Sequence, residues 1–213
     1  PNNKKYDILL DNVQPRADGY YDVTGVHIKS FDEKGGLHVS TFDAVSGLLR
    51  IERNPQGKLL IGHAERIQLK TVTVTLERGF PMAPVTIELP EAELDLNTDS
   101  LHSKSEVTIT GQGGIGGTGR GLLLSNRGQS SSLLNQTFSI LERGELNMKA
   151  NDKADVQLIA GPGSSIDFFR ATTREGSERL ELNMPKGGRM ITYGENSVDV
   201  SGRNISMIGR MIS

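Results

Sequence analysis

Hydrophobic residues alternate with polar ones along most of this chain, most clearly between Ile87 and Leu124. There Ile87 and Leu89 fall on one face, then Leu94 and Leu96, then Val107 and Ile109, then Leu122 and Leu124. A period of two places successive side chains on opposite faces of a strand. The segment predicts strand, turn, strand, Gly-rich turn and strand, with one apolar face and one wet face. Val72, Val74 and Leu76 predict another half-buried strand, with Thr71, Thr73 and Thr75 on its other side. β-Branched residues on both faces suit a strand.

The pattern recurs on both sides of this region. Val26 and Ile28, Leu37 and Val39, Leu49 and Ile51, and Leu59 and Ile61 mark short strands in the first part of the chain. Phe138 and Ile140, Val156 and Leu158, Leu180, Leu182 and Met184, Val198 and Val200, and Ile205 and Met207 continue it. Asp32-Glu33-Lys34-Gly35-Gly36, Asn54-Pro55-Gln56-Gly57 and Gly79-Phe80-Pro81 supply turn chemistry between them. Short helices are expected only near 42–48 and 166–172. Residues 1–19 read as a polar lead-in ending in the turn Gln14-Pro15-Arg16-Ala17-Asp18-Gly19. Strand and turn alternate roughly every 8–12 residues, which favours a sandwich, a jelly roll or a solenoid.

Composition narrows the class. Hydrophobic residues make up 35% of the 213 and aromatics 5%, without tryptophan, which is lean for a globular protein. The 25 glycines fit many turns and close backbone approaches. A net charge of −2 offers no basic stripe for nucleic acid. No apolar run is long enough to span a bilayer as a helix. The sequence begins at Pro1 rather than Met, which leaves room for a signal peptide or membrane anchor ahead of it. The absence of cysteine removes disulfides and thiolate metal sites.

No motif points to catalysis, and no cofactor is expected. Gly111, Gly113 and Gly116 satisfy a dinucleotide-type glycine spacing, but Arg120 to Ser125 reads as a strand where that site needs a helix. A glycine-rich hairpin tip explains the glycines better. His27, His38, His63 and His102 form no close ligand pair, and His63 with Glu65 is at most a shared strand face. Glu91, Glu93 and Asp95 line the polar face of one strand, without the aromatic platforms a sugar-cleaving site would use. Arg120, Arg127 and Arg143 could face phosphates but read as solvated. The last run, Arg203 to Ile212, predicts a terminal strand with arginine gatekeepers; Ile205, Met207 and Met211 would form a docking edge.

Ala92-Glu93-Leu94-Asp95-Leu96-Asn97-Thr98, then Glu106-Val107-Thr108-Ile109-Thr110, then Gly119-Arg120-Gly121-Leu122-Leu123-Leu124, resembles the repeat of the OstA/LptC-like proteins. Those periplasmic proteins carry lipopolysaccharide between the two membranes. Phe31 to Leu37 is similar to their early hairpin. The resemblance is closest over residues 87–145 and looser over 22–78, and the Gly-rich tip is longer than the family's.

The resemblance implies an all-β fold: an open, incomplete β jelly roll of short antiparallel strands with little helix, forming one elongated domain over residues 20–213. It implies a non-enzymatic, periplasmic module that shields the acyl chains of lipopolysaccharide or a related lipid in an apolar groove. Other jelly-roll transport proteins would pair with its edge strands. Val72, Val74, Val107, Ile109, Leu122, Leu124, Phe138 and Ile140 are the expected groove lining. The rival expectation is an extracellular or phage structural or adhesin module without lipid cargo. A glycan-active enzyme on a β sandwich is a third.

Overall fold

The computed structural model describes residues 6–31, 38–50, 52–53, 55–56, 59–60, 66–77, 84–112, 115–125, 135–151, 154–172, 178–193 and 198–211. The described elements are all strands: β1 (Tyr6–Pro15), β2 (Tyr21–Phe31), β3 (His38–Leu49), β4 (Glu52–Arg53), β5 (Leu59–Leu60), β6 (Arg66–Leu76), β7 (Val85–Asp95) and β8 (Ser100–Gly111). They continue as β9 (Gly116–Ser125), β10 (Asn135–Asn151), β11 (Ala154–Ala160), β12 (Ile166–Thr172), β13 (Glu178–Met184), β14 (Gly188–Tyr193), β15 (Val198–Gly202) and β16 (Ile205–Met211). Apart from the small β4–β5 hairpin, they form one antiparallel sheet that is not closed into a barrel. The fold is therefore the expected open, jelly-roll-like β class.

Two segments read as helical are strands. Residues 42–48 belong to β3, and 166–172 are β12, which pairs with both β10 and β13. The polar lead-in also contributes a full sheet member, because Tyr6–Pro15 pairs along its length with β2. The tip of the hairpin at 32–37 lies outside the described residues; the strands it joins pair from Phe31 and His38 onward.

Each long strand bends near its middle. The ladder passes from Leu10↔Val26 to Asn12↔Thr24, skipping Asp11 and Gly25. On the next strands it skips Val45, Thr71 and Pro90 in turn. Bulges continue the line between Ser103 and Glu106 on β8 and between Ile140 and Arg143 on β10. In the first four pairings each skipped residue faces a skipped residue, so the register is kept while the unpaired position shifts the side-chain phase of every strand. So the buried positions step by three across the bend: Val23 to Val26, Leu69 to Val72, Leu89 to Ala92. The same face stays inside on both halves. Gly25, Thr71 and Gly121 take left-handed backbone conformations on this line, at φ of 58°, 53° and 76°.

Beyond β10 the bend becomes a loop. The first half of β10 pairs with β12 and its second half with β11, so the sheet divides into two arms. Consecutive strands β11 and β12 then act as the two halves of one bent rung, as do β13 with β14 and β15 with β16. Left-handed Gly163, Gly187 and Asn204 sit in the connecting turns. Arm one holds 6–10, 26–31, 38–44, 72–76, 85–89, 106–111, 116–120, 143–151, β11, β14 and β15. Arm two holds the other halves. Eleven V-shaped rungs stacked at about 4.8 Å give an interior about 48 Å long.

The described residues include no helix to cover either arm, yet alternate side chains on both are buried in a single cluster. The arms therefore pack inner face to inner face. Ile28, Val74, Ile87 and Ile109 contribute from arm one, and Ile67, Leu94, Leu101 and Leu122 from arm two. Each such side chain brings about 1.5–3 kcal/mol on leaving water.

Candidate functional site

The apolar interior and its two ends form the candidate site. Of the expected lining residues, Val72 and Val74 come from β6, Val107 and Ile109 from β8, Leu122 and Leu124 from β9, and Ile140 from β10. All seven are buried, and the most exposed, Leu124, shows only 7%. Val72, Val74, Val107 and Ile109 lie on arm one; Leu122, Leu124 and Ile140 lie on arm two, so both inner faces contribute. Phe138 is opposite Leu124 and Phe168 in the ladder; its side chain is outside the described set. The interior is thus packed against itself, and an acyl chain entering it must displace side chains or part the arms.

The ends differ from the middle. Among the described strands β1 pairs only with β2, and its inward residues Tyr6, Ile8, Leu10 and Val13 are half-buried. At the other end, among the described strands, β15 pairs only with β14, and β16 only with β13. Val200 stands in the ladder opposite inward-facing Met190, yet it is 39% exposed because no described strand lies beyond it. Ile205 is half-buried on β16, the predicted edge strand. Met207 and Met211 lie on the same strand, opposite Leu182 and Glu178. Both ends of the stack therefore present unpaired strand edges, among the described strands, beside incompletely covered apolar residues.

One contact ties the two arms at their open margin, a feature no sequence pattern announces. The Tyr6 hydroxyl, at the outer end of arm one, donates a hydrogen bond to the Asp99 carboxylate in the turn between β7 and β8. Burial, then the charge of Asp99 and the bond itself, then the charge of Asp95, hold the phenol's pKa well above the ordinary tyrosine range. It therefore stays a protonated donor. Asp99 is itself left-handed at φ 54°, a conformation Asp tolerates better than most residues. The turn is fixed by Asp95 Oδ1, which accepts from the Asn97 and Thr98 amides at 2.9 and 3.0 Å. For Asp95, burial raises the pKa, but the Thr98 and Asn97 amides and Arg66 outweigh it, and the net shift is downward.

The other candidate chemistry resolves into surface structure. Gly111 closes a hairpin by donating its amide to the Ile115 carbonyl at 3.0 Å, and a strand follows where a phosphate site would need a helix. Glu93 and Asp95 both pair with Arg66 at 3.5 Å. Arg120 meets Glu142 at 3.2 Å, and Arg143 meets Glu106 at 2.6 Å. Arg127, His63 and Glu65 lie outside the described residues. His27 is bonded to Asp43, and His38 lies 3.0 Å from the Thr41 hydroxyl. No group of three metal-ligating side chains occurs among the described residues. No protein-family model matches this chain, and no curated protein does.

Proposed function

We propose that the chain is a periplasmic lipid-transport module that shields the acyl chains of lipopolysaccharide, or a related lipid, between its two arms. The observation that carries this reading is the continuous apolar interior, running the length of the stack between two edges left unpaired among the described strands. Such an interior shields acyl chains without any catalytic group. A dozen methylene groups leaving water would contribute about 10 kcal/mol towards parting the packed arms. The unpaired edges suit extension by main-chain pairing with similar modules, which would make the apolar path continuous from one to the next. The repeat-like segments between Ala92 and Leu124 support the same reading through their resemblance to the lipopolysaccharide-export proteins.

A second reading is favoured by one observation. Residues such as Ile28, Val74 and Leu122 are wholly buried by the chain's own side chains, as a structural module without cargo would have them. Photo-crosslinking separates the two. A diazirine analogue of leucine replaces Leu89 or Leu124, both inward, or Leu9, which is outward and 60% exposed. After incubation with lipopolysaccharide, the transport reading expects adducts from positions 89 and 124 well above those from position 9. Equal or absent labelling at all three would leave the structural module standing.

A further inference from the structure

We infer that Tyr6 and Asp99 form a clasp that holds arm one shut over arm two, and that its release admits acyl chains from the side. This rests on the transport reading above and names how that same interior is opened.

The geometry singles out this contact. Tyr6 belongs to the first rung, whereas Asp99 lies between the fifth and sixth strands of the ladder order. Adjacent strands rotate by about 20–25°, so four or five intervals accumulate roughly a quarter turn. That twist lays the outer end of β1 diagonally across the margin of arm two. The hydrogen bond therefore spans the opening of the V, whereas ladder bonds run along a single arm.

The two halves of the clasp are held differently. Asp99 sits in a turn braced by Asp95, between two strands of the sheet's middle. Tyr6 sits on an edge strand with one pairing partner and half-buried inward residues. Opening free energies are lowest where apolar contacts and protected backbone bonds are fewest. Lifting the outer half of β1 breaks one ladder and uncovers Tyr6, Ile8 and Leu10, while every central strand stays paired on both sides. The phenol is a donor to a charged acceptor at the margin of the apolar core, where such a bond is strong. The clasp thus adds a hold to an edge strand that is otherwise secured from one side only.

The test uses three proteins besides the parent. Tyr6→Phe removes only the hydroxyl. Asp99→Gly removes the carboxylate and keeps the left-handed backbone accessible. Tyr6→Cys with Asp99→Cys is joined by a short bismaleimide, and the chain contains no other cysteine. Hydrogen exchange of the amides in 6–10 should accelerate by about tenfold or more in the first two, with β7 and β8 unchanged. Uptake of purified lipopolysaccharide should be faster in both than in the parent, and strongly slowed in the cross-linked protein. Unchanged exchange in 6–10 overturns the clasp. Faster exchange with uptake indifferent to the cross-link overturns its role as a gate. If no variant takes up lipopolysaccharide, the transport reading fails and the gate with it. In that case the exchange rates still report whether the bond holds the arms together.

Discussion

Thr71 offers a sharp test of the bend. It is an exposed, β-branched residue in the middle of β6, with φ at 53°. The left-handed conformation costs an L-residue about 1–2 kcal/mol, and branching at Cβ places threonine towards the upper end. Thr71→Gly removes that strain but loses about 0.5–1 kcal/mol to the greater freedom of the unfolded chain. The expected net is a stabilisation of about 0.5–1 kcal/mol, which raises Tm by about 1–4 °C for a chain of this size. Thr71→Asn should do at least as well, because asparagine tolerates this conformation and keeps a side chain. Thr73→Gly is the control. Two residues along the same strand and in regular pairing with Asp43 and Glu88, it should cost about 1 kcal/mol. Urea unfolding followed by circular dichroism reads the midpoints, with unchanged m-values as the check on two-state behaviour. If both glycine variants lose stability alike, Thr71 stores no strain and the bend has another origin.

Two further outcomes follow from the same geometry. A Cβ on Gly119 would sit 2.4 Å from Ile140 Cγ2 and 2.9 Å from the Arg143 carbonyl oxygen, so Gly119→Ala should cost about 1–3 kcal/mol. Gly161→Ala meets nothing within 4 Å, and thermal melts should separate the two clearly. The lowered pKa of Asp95 gives a pH dependence of known sign. Its stabilisation is fully present above the unfolded carboxylate value of about 3.9 and is lost as pH falls through the folded value. Acid titration of stability should be shallower in Asp95→Ala than in the parent below about pH 4; an identical slope would refute the assignment.

The strands were legible in the sequence because period-two alternation survives within each half-rung. The bend was not, because it costs one residue and reads as a break between two short strands. β3 shows how this misleads. Its inward positions are 42, 44, 47 and 49, and the step of three across Val45 imitates helical spacing. On β7 the pattern picked out Leu94 and Leu96, and both pack inward, Leu96 from the turn that ends the strand; what it missed is Ala92, which is buried beside them. Alanine is too small to register in a hydrophobic pattern. The lining residues were readable as inward, but alternation alone carries no information about whether inward means a packed core or a path for lipid. The Tyr6–Asp99 contact was invisible, since it depends on accumulated twist between residues 93 positions apart.

The line of bends also governs how the molecule can change in length. Each rung pairs only with the rungs beside it, so the protein is close to a one-dimensional lattice, in which stability is a sum of nearest-neighbour terms. Within the run of continuous bent strands, inserting a bent hairpin would lengthen the interior by two strand spacings, about 10 Å, while each remaining ladder keeps its form. Such a lattice has no natural end and frays from its terminal members. The link from Tyr6 to Asp99 breaks that independence. It fixes the first rung to the middle of the array, and so gives an otherwise length-indifferent stack a definite distance between its start and its centre.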